Sequence, residues 1–300
     1  MKQETNMALG VNKLSYALGA EITGLDLRNP LDDRTVDEIR RIWMENLVVV
    51  IRGQDVTPVQ QVAFGRRLGP LDDHKSLPFY RLPDQHEIFL ITNKQVNGKP
   101  SETKDTGRLW HSDHSFTTRP TMASALYCKE IPAIGGDTLF SNMYMAYDTL
   151  SDALKKILDG LEAVHDIVDY APFRTRSAEQ VAEMRRINPA VAQPVVRVHP
   201  ETGKKALYVS EALTFRFVGM TEDESRGLLR FLWSHSVKPE FVYRHQWKVG
   251  DLLMWDNRCA MHMAPADYAP GQPRLMHRIT ILGTPSGRYL HEQAPQQAAA

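Results

Sequence analysis

Apolar residues in the first part of the chain recur at helical spacing. Val36, Ile39, Ile42, Trp43 and Leu47 fall on one face of residues 32–46, and Thr35 with Glu38 has capping-box spacing near the start. The β-branched run 47–51, stopped by Arg52-Gly53, predicts a buried strand. Thr57, Pro58 and Gln60 then set up a second helix, which Gly69-Pro70 closes after Leu68. From 72 to 110 the periodicity is lost among Pro78, Pro83, Asn97-Gly98 and Pro100, with one apolar run at 88–92. Strand signals return at 122–127 and 138–140, on either side of a turn at 133–136, and a helix is expected at 151–161. Residues 166–189 are charged and match neither period. A hairpin is expected from 195–198 and 206–209 around the turn 200–203. Thr221 and Glu224 box the start of a helix over 221–234, whose core face holds Leu228, Leu229, Phe231 and Leu232. Strands at 241–247, 252–255 and 279–282 complete the pattern.

Helices at the front followed by many short strands with Gly/Pro turns predict a mainly β architecture with helical decoration, a sandwich or jelly roll. No repeat or linker divides the chain, so a single domain over 1–300 is expected. The long irregular segment 72–109 is expected to act as a lid, and the Gln/Ala-rich end 292–300 to fray.

Composition narrows the function by exclusion. The 36 Lys+Arg balance 36 Asp+Glu, and no basic block interleaves with aromatics, so neither nucleic acid nor an anionic membrane is an expected partner. The polar start has no signal-peptide pattern, and no later stretch has the uncharged apolar length of a bilayer span. Cys128 and Cys259 are too few for a disulfide framework and too far apart for a metal finger, which predicts a reducing cytoplasm.

Chemistry is carried by His, Asp and Arg. In Trp110-His111-Ser112-Asp113 an extended backbone turns His111 and Asp113 the same way, giving two of the three ligands of a 2-His-1-carboxylate metal site. Any of the other ten histidines could supply the third; His262 stands out because it follows the strand 252–255 and the turn-like Asp256-Asn257-Arg258. Arg274 and Arg278 come next, beside an apolar run. A metal that chelates one end of a dicarboxylate needs such a guanidinium fork for the other end. His165, His199, His235, His245 and His277 lie inside expected elements and read as core or surface residues. Met143, Met145, Trp233 and Trp247 read as packing, and nothing marks Cys259 as a nucleophile.

These motifs, with Ile134-Gly-Gly-Asp-Thr138, Trp255-Asp-Asn-Arg258 and Arg274-Leu-Met-His-Arg278, strongly resemble the family of taurine and 2,4-dichlorophenoxyacetate dioxygenases. The resemblance runs from Gly19 to Gly283 with the motifs in family order. It implies a double-stranded β-helix, a cupin-like jelly roll of clavaminate synthase-like type. It also implies Fe(II) held by His111, Asp113 and His262, with 2-oxoglutarate and O2 as co-substrates. Thr138 and Arg274 occupy the positions that hold the distal carboxylate of 2-oxoglutarate. Arg278 resembles the arginine that grips the substrate anion, His74 the histidine that assists it, and the backbone N–H of His114 is a further donor.

The departures concern the substrate. Leu77 and Gly107 stand where the taurine enzyme has a tyrosine and an asparagine for the amine, and neither can make those hydrogen bonds. The implied reaction hydroxylates a small anionic sulfonate or carboxylate while 2-oxoglutarate becomes succinate, and the implied assembly is a homodimer or homotetramer. Two rival readings use the same residues: a cupin-like metal-dependent hydrolase or isomerase, which needs no Thr138 and Arg274 pair, and a non-catalytic small-anion binder.

Overall fold

The computed structural model describes residues 9–75, 78–96, 98, 101, 103, 106–168 and 177–290. Leu77 and the tail 292–300 lie outside them. The first helix, Asp33–Asn46, starts from Asp32, whose carboxylate accepts the Thr35 N–H at 2.7 Å. The cap is therefore Asp32 rather than a Thr35 and Glu38 box, because the aspartate already satisfies the orphan donor. The helix turns straight into the strand Val48–Ile51 at Leu47, whose φ is +62°. Thr57 and Gln60 form the expected capping box of the helix Pro58–Leu68.

Most of the remaining chain is β. One sheet has eight strands in the order Gly10–Lys13, Ala20–Thr23, Val48–Ile51, Leu252–Asp256, Thr121–Glu130, Leu275–Leu282, Gln85–Thr92 and Arg81–Leu82. All its pairs are antiparallel except Ala20–Thr23 with Val48–Ile51. Both faces of its centre are buried. Val49, Ile51, Leu252, Met254, Ile279 and Ile281 pack under the two helices against Ile39, Trp43 and Phe64. Val48, Val50, Leu253, Trp255 and Met276 face the other way, toward Phe140, Met143, Leu229 and Leu232. Burial on two faces is why these strands read as continuous apolar runs instead of alternating.

A three-stranded sheet, Val242–His245, Thr138–Asn142 and Ala260–Met263, lies across this inner core, with the Phe140 ring 5.4 Å from Trp255. A four-stranded sheet and the hairpin Val196–Val198 with Lys205–Leu207 extend the layer, and the helix Glu222–Ser236 covers it with Leu229 and Leu232. Two readings change here. Residues 72–109 are not one irregular loop, because Gln85–Thr92 is a strand paired to Leu275–Leu282. The ambiguous stretch 166–189 contains a helix, Ala178–Ile187, boxed by Ser177 and Gln180. None of its residues is fully buried, so it left no strong hydrophobic period.

The five histidines read as structural are all buried. His165 bonds Ser115 at 3.0 Å, His199 bonds Asp256 at 3.0 Å, His235 bonds the Ala146 carbonyl at 2.8 Å and His245 bonds Asp251 at 3.2 Å. His277 alternates with Arg278 along its strand, and Gln61 ties its carbonyl to the helix side. Burial lowers His165 to about 3 and His277 to about 4, so both stay neutral while the unfolded chain takes up protons near 6.5. Their contribution to stability is therefore full above pH 6.5 and is lost as the pH falls toward 4. Denaturant titrations between pH 6.5 and 4 are expected to show this loss, with His277→Leu flattening the slope by roughly 1 kcal/mol per pH unit. An unaltered slope would contradict the assignment.

Candidate active site

His111 and His262 are far apart in sequence and joined in space. The His111 N–H donates to the His262 carbonyl at 3.1 Å, and the His262 N–H returns to His111 at 2.9 Å. This isolated bridge sets the imidazole centroids 4.1 Å apart. Nδ1 of His111 lies 2.8 Å from the Leu109 carbonyl, which can only accept, so Nδ1 carries the proton and Nε2 is the free donor atom. That Nε2 lies 3.7 Å from Asp113 Oδ1. The ligand-capable atoms of His111, Asp113 and His262 all fall within 4.8 Å of one another.

Asp113 is aimed by its neighbours. Ser124 Oγ donates to its Oδ2 at 2.6 Å, and its own N–H donates to Asn257 Oδ1 at 3.1 Å. Asn257 in turn donates to Ser124 at 3.1 Å and accepts the Trp255 indole N–H at 3.0 Å. Burial works to raise the Asp113 carboxyl, but the Arg278 guanidinium and the two imidazoles override it and hold it well below the usual carboxylate range. Burial and the neighbouring His111 push His262 down to about 3. The cluster thus offers two imidazoles and one carboxylate, with the His111 imidazole locked by a backbone carbonyl. This donor set and second layer fit a divalent first-row metal.

A second buried group, His199, Asp256 and Cys259, also converges. Its carboxylate is already taken by Arg258 and His199, and burial pushes the Cys259 thiol up, away from the thiolate a metal needs. It braces the turn after Leu252–Asp256.

A cavity of about 570 Å³ opens from the triad between the large and small sheets, and Thr138, Arg274, Arg278 and His114 line it as well. Thr138 Oγ1 accepts the Trp247 indole N–H at 3.0 Å, which leaves its own O–H to donate. Arg274 is buried, donates through Nε to the Gly136 carbonyl at 3.2 Å, and forms no ion pair among the described residues. Burial opposes its charge. Arg278 Nη1 lies 3.5 Å from Asp113 Oδ1, its Cζ sits 5.0 Å over the Phe89 ring, and its Nε is buried with no partner among the described residues.

His74 is buried behind Phe89, ring centroids 5.1 Å apart, rather than on the cavity wall. Burial and Arg278 lower it to about 4, so it is neutral. His74 and His114 both adopt positive φ, +52° and +54°, and burial also lowers His114. Of the two substitutions noted in sequence, Gly107 lines the cavity and Leu77 lies outside the described residues. Sequence reasoning missed the apolar wall: Phe89, Phe116, Ile167, Met184, Ile187 and Leu213. Only Phe89, in the run 88–92, carried a signal.

Asn257→Ala removes the acceptor for the Asp113 N–H and a donor to Ser124 while leaving all three ligand-capable side chains in place. Calorimetric titration under argon is expected to show Mn(II) or Fe(II) affinity reduced roughly 10–100-fold in a folded variant. Wild-type affinity would mean that the network does not orient the carboxylate.

Comparison with known proteins adds an independent view. Residues 10–280 match the family model described as taurine catabolism dioxygenase TauD, TfdA family. The chain is 36% identical to an alpha-ketoglutarate-dependent 2,4-dichlorophenoxyacetate dioxygenase of Cupriavidus pinatubonensis, covering 92% of this chain and 98% of that protein. It is 32% identical to an alpha-ketoglutarate-dependent sulfate ester dioxygenase of Pseudomonas putida, over 92% and 90% of the two chains. The crystal structure of AAD-2 in complex with Mn(II) and N-oxalylglycine superposes with a TM-score of 0.82 at 33% identity, covering 95% of this chain and all of that one.

Proposed function

Since the chain belongs to the TauD, TfdA family, we propose that His111, Asp113 and His262 hold its Fe(II) and that Thr138 and Arg274 receive the distal carboxylate of 2-oxoglutarate. The protein is a 2-oxoglutarate-dependent oxygenase that works with Fe(II) and O2 on a small anionic organic substrate. When bound, the iron supplies the oxidising chemistry that turns 2-oxoglutarate into succinate and CO2 and hydroxylates the substrate. The relatives are named as dioxygenases of this kind, which supports this reading over a cupin-like hydrolase or isomerase and over a non-catalytic binder. The two facing sheets support a double-stranded β-helix.

The observation that carries the residue roles is the spacing of charge along one cavity. The triad lies near Arg278, while Arg274 has only a backbone carbonyl for its Nε and is open to an acid. Thr138 adds a neutral donor and Arg274 a charged one, which suits a carboxylate. Arg278, with its unpartnered Nε, binds the substrate anion; Phe89 supports the guanidinium and neutral His74 packs behind that ring. The backbone N–H of His114 is placed in this reading as a further donor to the anion. The apolar wall excludes water and accommodates the body of the substrate.

That wall favours an aryloxyalkanoate or similar apolar carboxylate over taurine. Gly107 has no side chain to bond an amine. The named activity of the Cupriavidus relative supports the same class, and that of the Pseudomonas relative keeps sulfate esters as the second choice. The family resemblance supports a homodimer or homotetramer. Two buried free cysteines, Cys128 and Cys259, support a cytoplasmic setting, and no helix among the described residues is long and apolar enough to cross a membrane.

Succinate formation with aryloxyacetates, alkyl sulfates and taurine tests the reading. Aryloxyacetates are expected to stimulate it most, and Arg278→Gln to lower kcat/KM for the acid roughly 10–100-fold by removing a charge-assisted bond. A preference for taurine would overturn the substrate class, and an unaffected Arg278→Gln enzyme the role of Arg278.

A further inference from the structure

Residues 264–272 connect the two halves of the candidate site, running from His262 to Arg274. They press on the turn that precedes Thr138. Gly135 and Gly136 have φ of +80° and +75°, and a Cβ at Gly135 would lie 2.1 Å from the Asp267 carbonyl oxygen. Only glycine permits that approach. It brings Asp267 Oδ1 within 2.7 Å of the Gly136 N–H, while the Gly136 carbonyl accepts from Arg274 Nε. The other oxygen of Asp267 pairs with Arg244, which also donates to Asp137 at 2.7 Å, one residue before Thr138.

We propose that Asp267 is a positioning residue for 2-oxoglutarate: it holds the Gly136 peptide that aims Arg274 and, through Arg244 and Asp137, the start of the strand that carries Thr138. This rests on the reading that Thr138 and Arg274 receive the distal carboxylate. Asp267 does not touch the co-substrate. Its Oδ2 pairs with Arg244, which is half exposed, and its charge reaches Arg274 without an ion pair. A carboxylate seated directly on Arg274 would compete with the ligand; one placed a peptide away fixes the guanidinium and leaves its outer nitrogens free. The glycine pair, the aspartate and the arginine on Val242–His245 therefore act as one clamp.

The test titrates 2-oxoglutarate into Fe(II)-loaded protein under argon, following tryptophan fluorescence, since Trp247 donates to Thr138. Turnover with the best acid substrate is measured in parallel. Asp267→Ala is expected to weaken 2-oxoglutarate binding roughly tenfold, the loss of about one hydrogen bond and its ordering effect, with kcat at saturation and substrate KM within about twofold. Asp267→Asn keeps an oxygen for the Gly136 N–H and is expected to recover most of that loss; Arg244→Ala is expected to lose about threefold. Arg274→Ala separates the two levels of the argument. Unchanged 2-oxoglutarate affinity in Arg274→Ala would overturn the placement of the distal carboxylate. A large loss there, with wild-type affinity in Asp267→Ala, would overturn the role of Asp267 alone. Equal losses in kcat and in both affinities would make Asp267 merely structural and also overturn the proposal. If Asp267→Ala does not fold, Arg244→Ala decides, and wild-type 2-oxoglutarate affinity there overturns the clamp.

Discussion

A reciprocal pair of backbone hydrogen bonds between His111 and His262 is the constraint on which the arrangement depends. One histidine lies outside the named strands and the other on a short strand of the small sheet. Because the bonds are made by the main chain, they fix register without using either imidazole. Asp113, in the turn that begins two residues after His111, joins the same point in space. The strand Thr121–Glu130 supplies Ser124 and the turn after Leu252–Asp256 supplies Asn257 to hold it there.

The charge balance of the cavity follows from that closure. Asp113 is ionised and lies against Arg278, while Arg274, at another point of the wall, has no acidic partner among the described residues. Three arginines, Arg108, Arg274 and Arg278, against two carboxylates, Asp72 and Asp113, leave the chamber net positive before any metal enters. Desolvation strengthens every field inside such a chamber. The surroundings are set to receive anions, while the overall chain stays neutral.

How much of this was legible in the sequence varies with the physical origin of each part. The first helix announces itself by period and the second by its capping residues, and the His111 and Asp113 pair by residue types two apart. The strand Gln85–Thr92 was hidden by the prolines and glycines on either side of its apolar run, so its partnership with Leu275–Leu282 could be seen only in three dimensions. The helix Ala178–Ile187 was hidden for another reason: it buries no residue fully, so there was no stripe to read. The apolar wall is built by residues distant in sequence, from Phe89 to Leu213, and no local pattern records such a meeting. The motif Trp255-Asp-Asn-Arg258 was recognisable, yet its division of labour was not. Asn257 serves the Asp113 carboxylate, and Asp256 serves the brace of Arg258 and His199.

The helix Ala178–Ile187 carries a thermodynamic consequence. Met184 and Ile187 border the cavity, while Ile187 remains more than half exposed, so the helix has little burial of its own to hold it in place. Elements with so few buried contacts sit at the low end of the local opening free-energy scale. A guest that covers those side chains must first meet the entropic cost of ordering them, and it recovers that cost in proportion to the apolar surface it brings. Apolar surface laid against Met184 and Ile187 would add the burial this helix lacks, and amide exchange in the helix would register it.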